Sequence, residues 1–167
     1  FGGFQAGVSY YDSGATGTSD STSFGASYTI DNLKVGYTNG TEEVSGAIDN
    51  DSQNIGAKLS LGNATLIAAM STVEGADEDI ETVGIGASYA IENGLTVAVS
   101  TMESEDSLDV SGTEKENLKQ HMLEVQKNIA PGLDVFVNYT DYEYKNGGEA
   151  STDDDGSVVQ FKVTASF

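Results

Sequence analysis

Apolar and polar residues alternate with a period of two along almost the whole chain, and this pattern confines the fold to β structure. Ten segments carry it. In the first, Phe4, Ala6, Val8 and Tyr10 oppose Gln5, Gly7, Ser9 and Tyr11; in the second, Phe24, Ala26, Tyr28 and Ile30 oppose Ser23, Gly25, Ser27 and Thr29. Later apolar faces run Leu33-Val35-Tyr37, Ile55-Ala57-Leu59-Leu61, Leu66-Ala68-Met70, Val83-Ile85-Ala87-Tyr89-Ile91, Leu95-Val97-Val99, His121-Leu123-Val125, Leu133-Val135-Val137-Tyr139 and Val159-Phe161-Val163-Ala165-Phe167. Only the fifth segment is two-sided, because Ile67 and Ala69 make its second face apolar as well.

Composition narrows the function classes. The 20 glycines among 167 residues and the single proline suit strands and turns better than a helical bundle. No window supplies the roughly 18 consecutive apolar residues of a membrane helix. Without cysteine there is no disulfide framework, zinc-thiolate site or cysteine nucleophile. A formal charge of −20, from 27 acidic against 7 basic residues, makes nucleic acid an unsuitable partner. The chain opens at Phe1 with no basic and apolar leader, so it is either mature or incomplete.

The connections alternate in length. Asp31-Asn32, Gly62-Asn63, Glu92-Asn93-Gly94 and Ala130-Pro131-Gly132 are tight turns, whereas 39–51, 103–117 and 142–156 are long and polar. Of the 27 acidic residues, 23 fall in or beside the long connections. A soluble sandwich also alternates, but it has no reason to gather its acidic loops at one end of every hairpin. A membrane barrel does, with its apolar face toward lipid and its polar face toward the lumen. Small residues such as Gly25, Gly56, Gly84, Ser88 and Ser100 on the polar faces leave room for water inside a wide barrel. Tyr28, Tyr89 and Phe167 near the short turns, and Tyr10, Tyr37 and Tyr139 near the long loops, form two aromatic belts on the apolar face.

The closing strand, Val159-Phe161-Val163-Ala165-Phe167 alternating with Gln160, Lys162, Thr164 and Ser166, ends on an aromatic. It resembles the terminal strand of Gram-negative outer-membrane β-barrel proteins. That resemblance implies that Val159, Phe161, Val163 and Phe167 are read by the barrel-assembly machinery, with short turns periplasmic and long loops extracellular. With the repeats Phe24-Gly25-Ala26-Ser27-Tyr28-Thr29 and Ile85-Gly86-Ala87-Ser88-Tyr89-Ala90, the chain is similar to general-diffusion porins of the α-proteobacterial type. The family implies an all-β, antiparallel transmembrane barrel of about sixteen strands. It also implies a homotrimer in the bacterial outer membrane, in contact with lipid and lipopolysaccharide, that passes small hydrophilic solutes and ions through a water-filled channel. Ten strands match the last ten of such a barrel, so residues 1–167 are expected to be its C-terminal portion. The alternative is a complete ten-stranded barrel acting as an adhesin, binding protein or enzyme.

Inward-facing candidates for the pore lining are Lys34, Lys58 and Lys162, against Glu124 and Asp134, with Gln120, Gln126, Asn138 and Gln160 as neutral polar partners. Opposite charges across a lumen set up a transverse field that favours small hydrophilic solutes. No catalytic residues are expected: His121 stands on an apolar face with no triad spacing around it. No cofactor is expected either, apart from Ca²⁺ at the acidic loops, where Asp77, Asp79, Asp153 and Asp155 are the candidate ligands in spacings unlike an EF-hand.

Deleting Phe167 tests the resemblance. An aromatic fully removed from water contributes about 1.5–3 kcal/mol, whereas an assembly signal acts on insertion as a whole. The surface level of the truncated protein is therefore expected to fall far more than its unfolding midpoint, measured by cell-surface labelling and by denaturant titration of refolded protein.

Overall fold

In a computed structural model, residues 3–12, 20–43, 49–75, 79–107, 116–146 and 153–165 are described. They form ten strands: β1 (Phe4–Tyr11), β2 (Asp20–Ile30), β3 (Leu33–Glu43), β4 (Asn50–Leu61), β5 (Ala64–Glu74), β6 (Asp79–Ile91), β7 (Leu95–Asp106), β8 (Glu116–Ala130), β9 (Leu133–Lys145) and β10 (Asp154–Ala165). Each pairs with the next in chain order, antiparallel throughout, in a single sheet whose edges are β1 and β10. Every segment expected from the alternation is present as a strand.

Local chemistry sets the tight turns. Asp31 (φ 49°), Gly62 (φ 60°), Asn93 (φ 65°), Gly94 (φ 72°) and Gly132 (φ 75°) take left-handed backbone, which glycine, asparagine and aspartate enter at least cost. At 130–133 the paired residues are Ala130 and Leu133, leaving Pro131 and Gly132 as the corners. Proline fixes the first φ and glycine accepts the second, the requirement of a type II turn. The twist of that turn suits a hairpin poorly, and one residue before it a bulge between Asn128 and Ala130 takes up the mismatch.

Register sorts the side chains into two faces. One row runs Gln5, Ser27, Gly36, Gly56, Ala69, Gly84, Met102, Gln120, Tyr142, Gly156, each directly opposite the next. The row beside it, on the other face, runs Ala57, Ala68, Ile85, Thr101, His121, Asp141, Ser157. The sheet therefore has a small-residue face and an apolar face. The two-sided fifth segment resolves: Leu66, Ala68 and Met70 belong to the apolar face, and Ile67 and Ala69 to the small-residue face.

No residue among those described is buried, and large apolar side chains stand bare along the apolar face: Phe161 and Val159 are each 69% exposed, Ile85 58% and Val99 51%. A soluble chain could not leave so continuous an apolar surface against water. The stretch from Val83 to Ile91 spans roughly 26 Å at about 3.3 Å per residue, and a tilt of about 40° reduces its height to roughly 20 Å, near the ~25 Å apolar band of a transmembrane barrel.

The strands exceed the expected boundaries at the long-loop end, which corrects the sequence reading. Fifteen of the 23 acids assigned to the long connections lie on strands, among them Asp51, Glu74, Glu81, Glu103, Asp141 and Glu143. The backbone ladder continues wherever partner strands remain side by side, but the alternation that marks a strand in sequence vanishes once both faces meet water. Eleven of the fifteen continue the apolar face upward, so a rim of carboxylates crowns the apolar band. Lys119 pairs with Glu103 at 3.0 Å and Lys145 with Glu143 at 3.0 Å within that rim.

Arginine at Val163, near the middle of the apolar band of β10, is expected to cost about 2–4 kcal/mol of folding stability in lipid. The same change at Ser100, on the other face, is expected to leave stability nearly unaltered and to change conductance. Denaturant titration in vesicles reads the first effect and planar-bilayer recording the second.

Candidate functional site

The small-residue face is the concave one. A hollow of about 810 Å³ lies on it, floored by Gly7, Gly25, Gly36, Gly56, Gly84 and Gly86. Alternate residues of β6 and β9 confirm the sense of curvature: Ile80, Thr82 and Gly84, and Asn138, Thr140 and Tyr142, are more covered than Glu81, Val83, Tyr139 and Asp141 beside them. Without a Cβ, or with only a hydroxymethyl group, these positions keep the wall thin. Cross-strand hydroxyl and amide contacts line it: Ser9 with Ser23 (2.7 Å), Thr82 with Ser104 (2.9 Å), and Asn54 Nδ2 donating to Thr38 Oγ1 (3.2 Å).

All nine residues expected at a pore lining share this face. Lys34 stands directly opposite Lys58 on β3 and β4. Glu124 lies opposite Asn138, which in turn lies opposite Gln160 and donates to its Oε1 at 3.3 Å. Gln126 lies opposite Phe136, and Lys162 sits over the Phe136 ring, 5.7 Å from its centroid. Asp134 is at the turn end of β9, where Asn128 Nδ2 donates to its Oδ1 at 3.1 Å, so it also ties the bulged hairpin together. Gln120 is higher, opposite Met102 and Tyr142.

The structure separates these charges around the wall. Lys34 and Lys58 belong to β3 and β4, whereas Glu124, Asp134 and Lys162 belong to β8, β9 and β10. Toward the long-loop end the same face carries Glu42, Asp106, Glu116 and Asp154, with the Tyr142 hydroxyl donating to Asp154 Oδ2 at 3.1 Å. Sequence reading left these four among the loops, because no alternation marks them.

Two expectations fare differently. Asp77 and Phe167 lie outside the described residues. Asp79 begins β6, and Asp153 and Asp155 lie at and in β10, four strands away; Asp153 Oδ1 accepts the Asn146 amide at 3.0 Å. Among the described residues no three His, Cys, Asp or Glu side chains converge as metal ligands would. His121 is directly opposite Thr101 and Asp141 on the apolar face, a juxtaposition that spacing along the chain did not reveal. It makes no hydrogen bond to either, and the Asp141 carboxylate instead accepts the Tyr139 hydroxyl at 3.4 Å.

A ten-stranded antiparallel sheet, bare and apolar on one side and small, polar and concave on the other, defines a wall of a transmembrane β-barrel. The model of the Gram-negative porin family matches residues 1–147, and the chain belongs to that family. It accordingly belongs among the β-barrel proteins of the bacterial outer membrane. None of the curated proteins matches it in sequence. Among solved structures it resembles OmpT of Vibrio cholerae (TM-score 0.76, 14% identity, covering 98% of this chain and 60% of that one). OccAB3 of Acinetobacter baumannii (0.77, 14%, 100% and 52%) and OccK1 of Pseudomonas aeruginosa (0.73, 12%, 98% and 52%) share the same fold. The chain thus spans little more than half the length of these barrels.

Single-cysteine labelling tests which face meets water, against a background free of native cysteine. In lipid vesicles, Ser100→Cys, Gly56→Cys and Asn138→Cys are expected to react with a charged methanethiosulfonate, and Val97→Cys and Val137→Cys to remain unmodified.

Proposed function

We propose that the protein forms a water-filled pore through which small hydrophilic solutes and ions diffuse passively, with the small-residue face as its lumen wall. The observation that carries this reading is the continuous row of glycine, serine and alanine side by side from β2 to β6, which leaves the concave side open where a core would otherwise be. Lys34, Lys58 and Lys162, against Glu124 and Asp134, with Gln120, Gln126, Asn138 and Gln160 between them, line the path. Charges of opposite sign on separate parts of the wall orient water across the lumen and admit polar solutes more readily than apolar ones. Nothing in this task requires a catalytic group.

The greater length of the similar barrels supports the further proposal that these ten strands are the C-terminal part of a barrel of about sixteen. Resemblance to general-diffusion porins supports a homotrimer. Because the rim acids Asp79 and Asp155 face outward at headgroup height, Ca²⁺ held there would link protein carboxylates to lipopolysaccharide phosphates rather than fill a closed protein site.

Ion choice tests the pore reading. Acids on the inner face at the long-loop end, Glu42, Asp106, Glu116 and Asp154, are expected to favour cations at low salt. The preference should fade by about 1 M, where the Debye length is roughly 3 Å. Reversal potentials across a salt gradient at two mean concentrations measure it; anion preference at both would show that the mouth acids stand clear of the ion path.

A further inference from the structure

Six lysines lie within the described residues, and four are occupied. Lys119 and Lys145 pair with Glu103 and Glu143, Lys127 donates to the Asn93 carbonyl, and Lys162 sits over Phe136. Lys34 and Lys58 remain. They are directly opposite each other on adjacent strands, an arrangement in which like charges repel. Among their same-face neighbours in the ladder Thr29, Gly36, Gly56, Ser60, Ile67 and Ala69 are uncharged, and the acid nearest along the chain is Asp31, in the turn that leads into β3. Among the described residues neither ammonium group is in an ion pair, so two positive charges stand side by side with the single carboxylate of Asp31 near them along the chain.

Their surroundings are unusual for a lumen. Lys34 borders the 810 Å³ hollow, which is also lined by Ile67, directly opposite Lys58, and by Ala69 and Met102 on β5 and β7. Gly36, Gly56 and Gly84, in the next row of the same face, allow close approach to the wall. From these features we infer that Lys34 and Lys58 hold the head of a small amphipathic anion, whose short hydrocarbon part lies across the glycine floor against Ile67, Ala69 and Met102. The paired ammonium groups recognise a single anionic head through two charge-assisted contacts. The apolar shelf is then what separates this solute class from inorganic anions of the same charge. The site lies toward the short-turn ends of β3 and β4, beyond the acidic mouth, so a bound anion would meet the lysines last on its way in.

The inference rests on the small-residue face being a lumen, and bilayer recording of the native protein separates the two claims. Hexanesulfonate, ionised at every working pH, is the probe; methanesulfonate and inorganic phosphate are its comparisons. Hexanesulfonate is expected to block KCl current at a concentration about tenfold below either of them. Combined Lys34→Gln and Lys58→Gln substitution is expected to raise its half-blocking concentration about tenfold, a loss of about 1.4 kcal/mol. Lys145→Gln, on the outer face, is expected to leave that concentration unchanged, and Ile67→Ser to bring hexanesulfonate close to methanesulfonate. Native protein that conducts but is blocked equally by all three anions, with the block unchanged by lysine removal, would overturn the anion site and leave the pore standing. Equal block by phosphate and hexanesulfonate that is still lost on lysine removal would overturn the apolar shelf. Absence of any native conductance would overturn the pore itself.

Discussion

The backbone hydrogen-bond ladder is the interaction on which everything else in this protein depends. No described residue is buried, so there is no core to hold the strands together, and among the described residues each strand from β2 to β9 is fixed by its two neighbours alone. In hydrocarbon an unpaired amide costs several kcal/mol, and a closed barrel satisfies every one of them. The hydrophobic effect still operates, but its partner is lipid: Phe161, Val159 and Ile85 face outward because no protein layer covers them.

From that constraint the two faces acquire different tasks. The apolar face needs only to be greasy over a limited height, and Leu, Val, Ile and Ala serve equally well there. The opposite face is freed from packing, and it carries glycine and serine where a soluble sheet would carry its core. A wall so thin encloses space instead of filling it, and the few long polar side chains on it become electrostatically prominent. Lys34 and Lys58 stand on one stretch of this face, Glu124 and Asp134 on another, and Glu42, Asp106, Glu116 and Asp154 toward its long-loop end. The carboxylates on the outer face lie beyond the apolar band, on the strand extensions at the long-loop end.

The asymmetry of the connections follows from the same architecture. Short turns need only reverse the chain, and residues tolerant of left-handed backbone at Asp31, Gly62, Asn93, Gly94 and Gly132 accomplish it. At the other end the strands continue past the membrane, paired and polar, before the chain turns. Glu103 with Lys119, and Glu143 with Lys145, show that this extended part has surface ion pairs of its own.

Much of this was legible in the sequence, because a strand with one greasy face states its own period and orientation. Alternation alone located ten strands, assigned Val97, Val137 and Phe161 to one face and Ser100, Asn138 and Lys162 to the other, and marked the four tight turns. It could not find where strands end once both faces are polar, so acids such as Glu74, Glu103 and Asp141 were read as loop. Nor could it tell which residues stand opposite each other, since register is a relation between strands and depends on turn length, bulges and pairing beyond the apolar band. The meeting of Lys34 with Lys58, of His121 with Asp141, and of Ile67 with the glycine floor exists only in the assembled sheet, where the ladder brings together residues that the chain itself keeps apart.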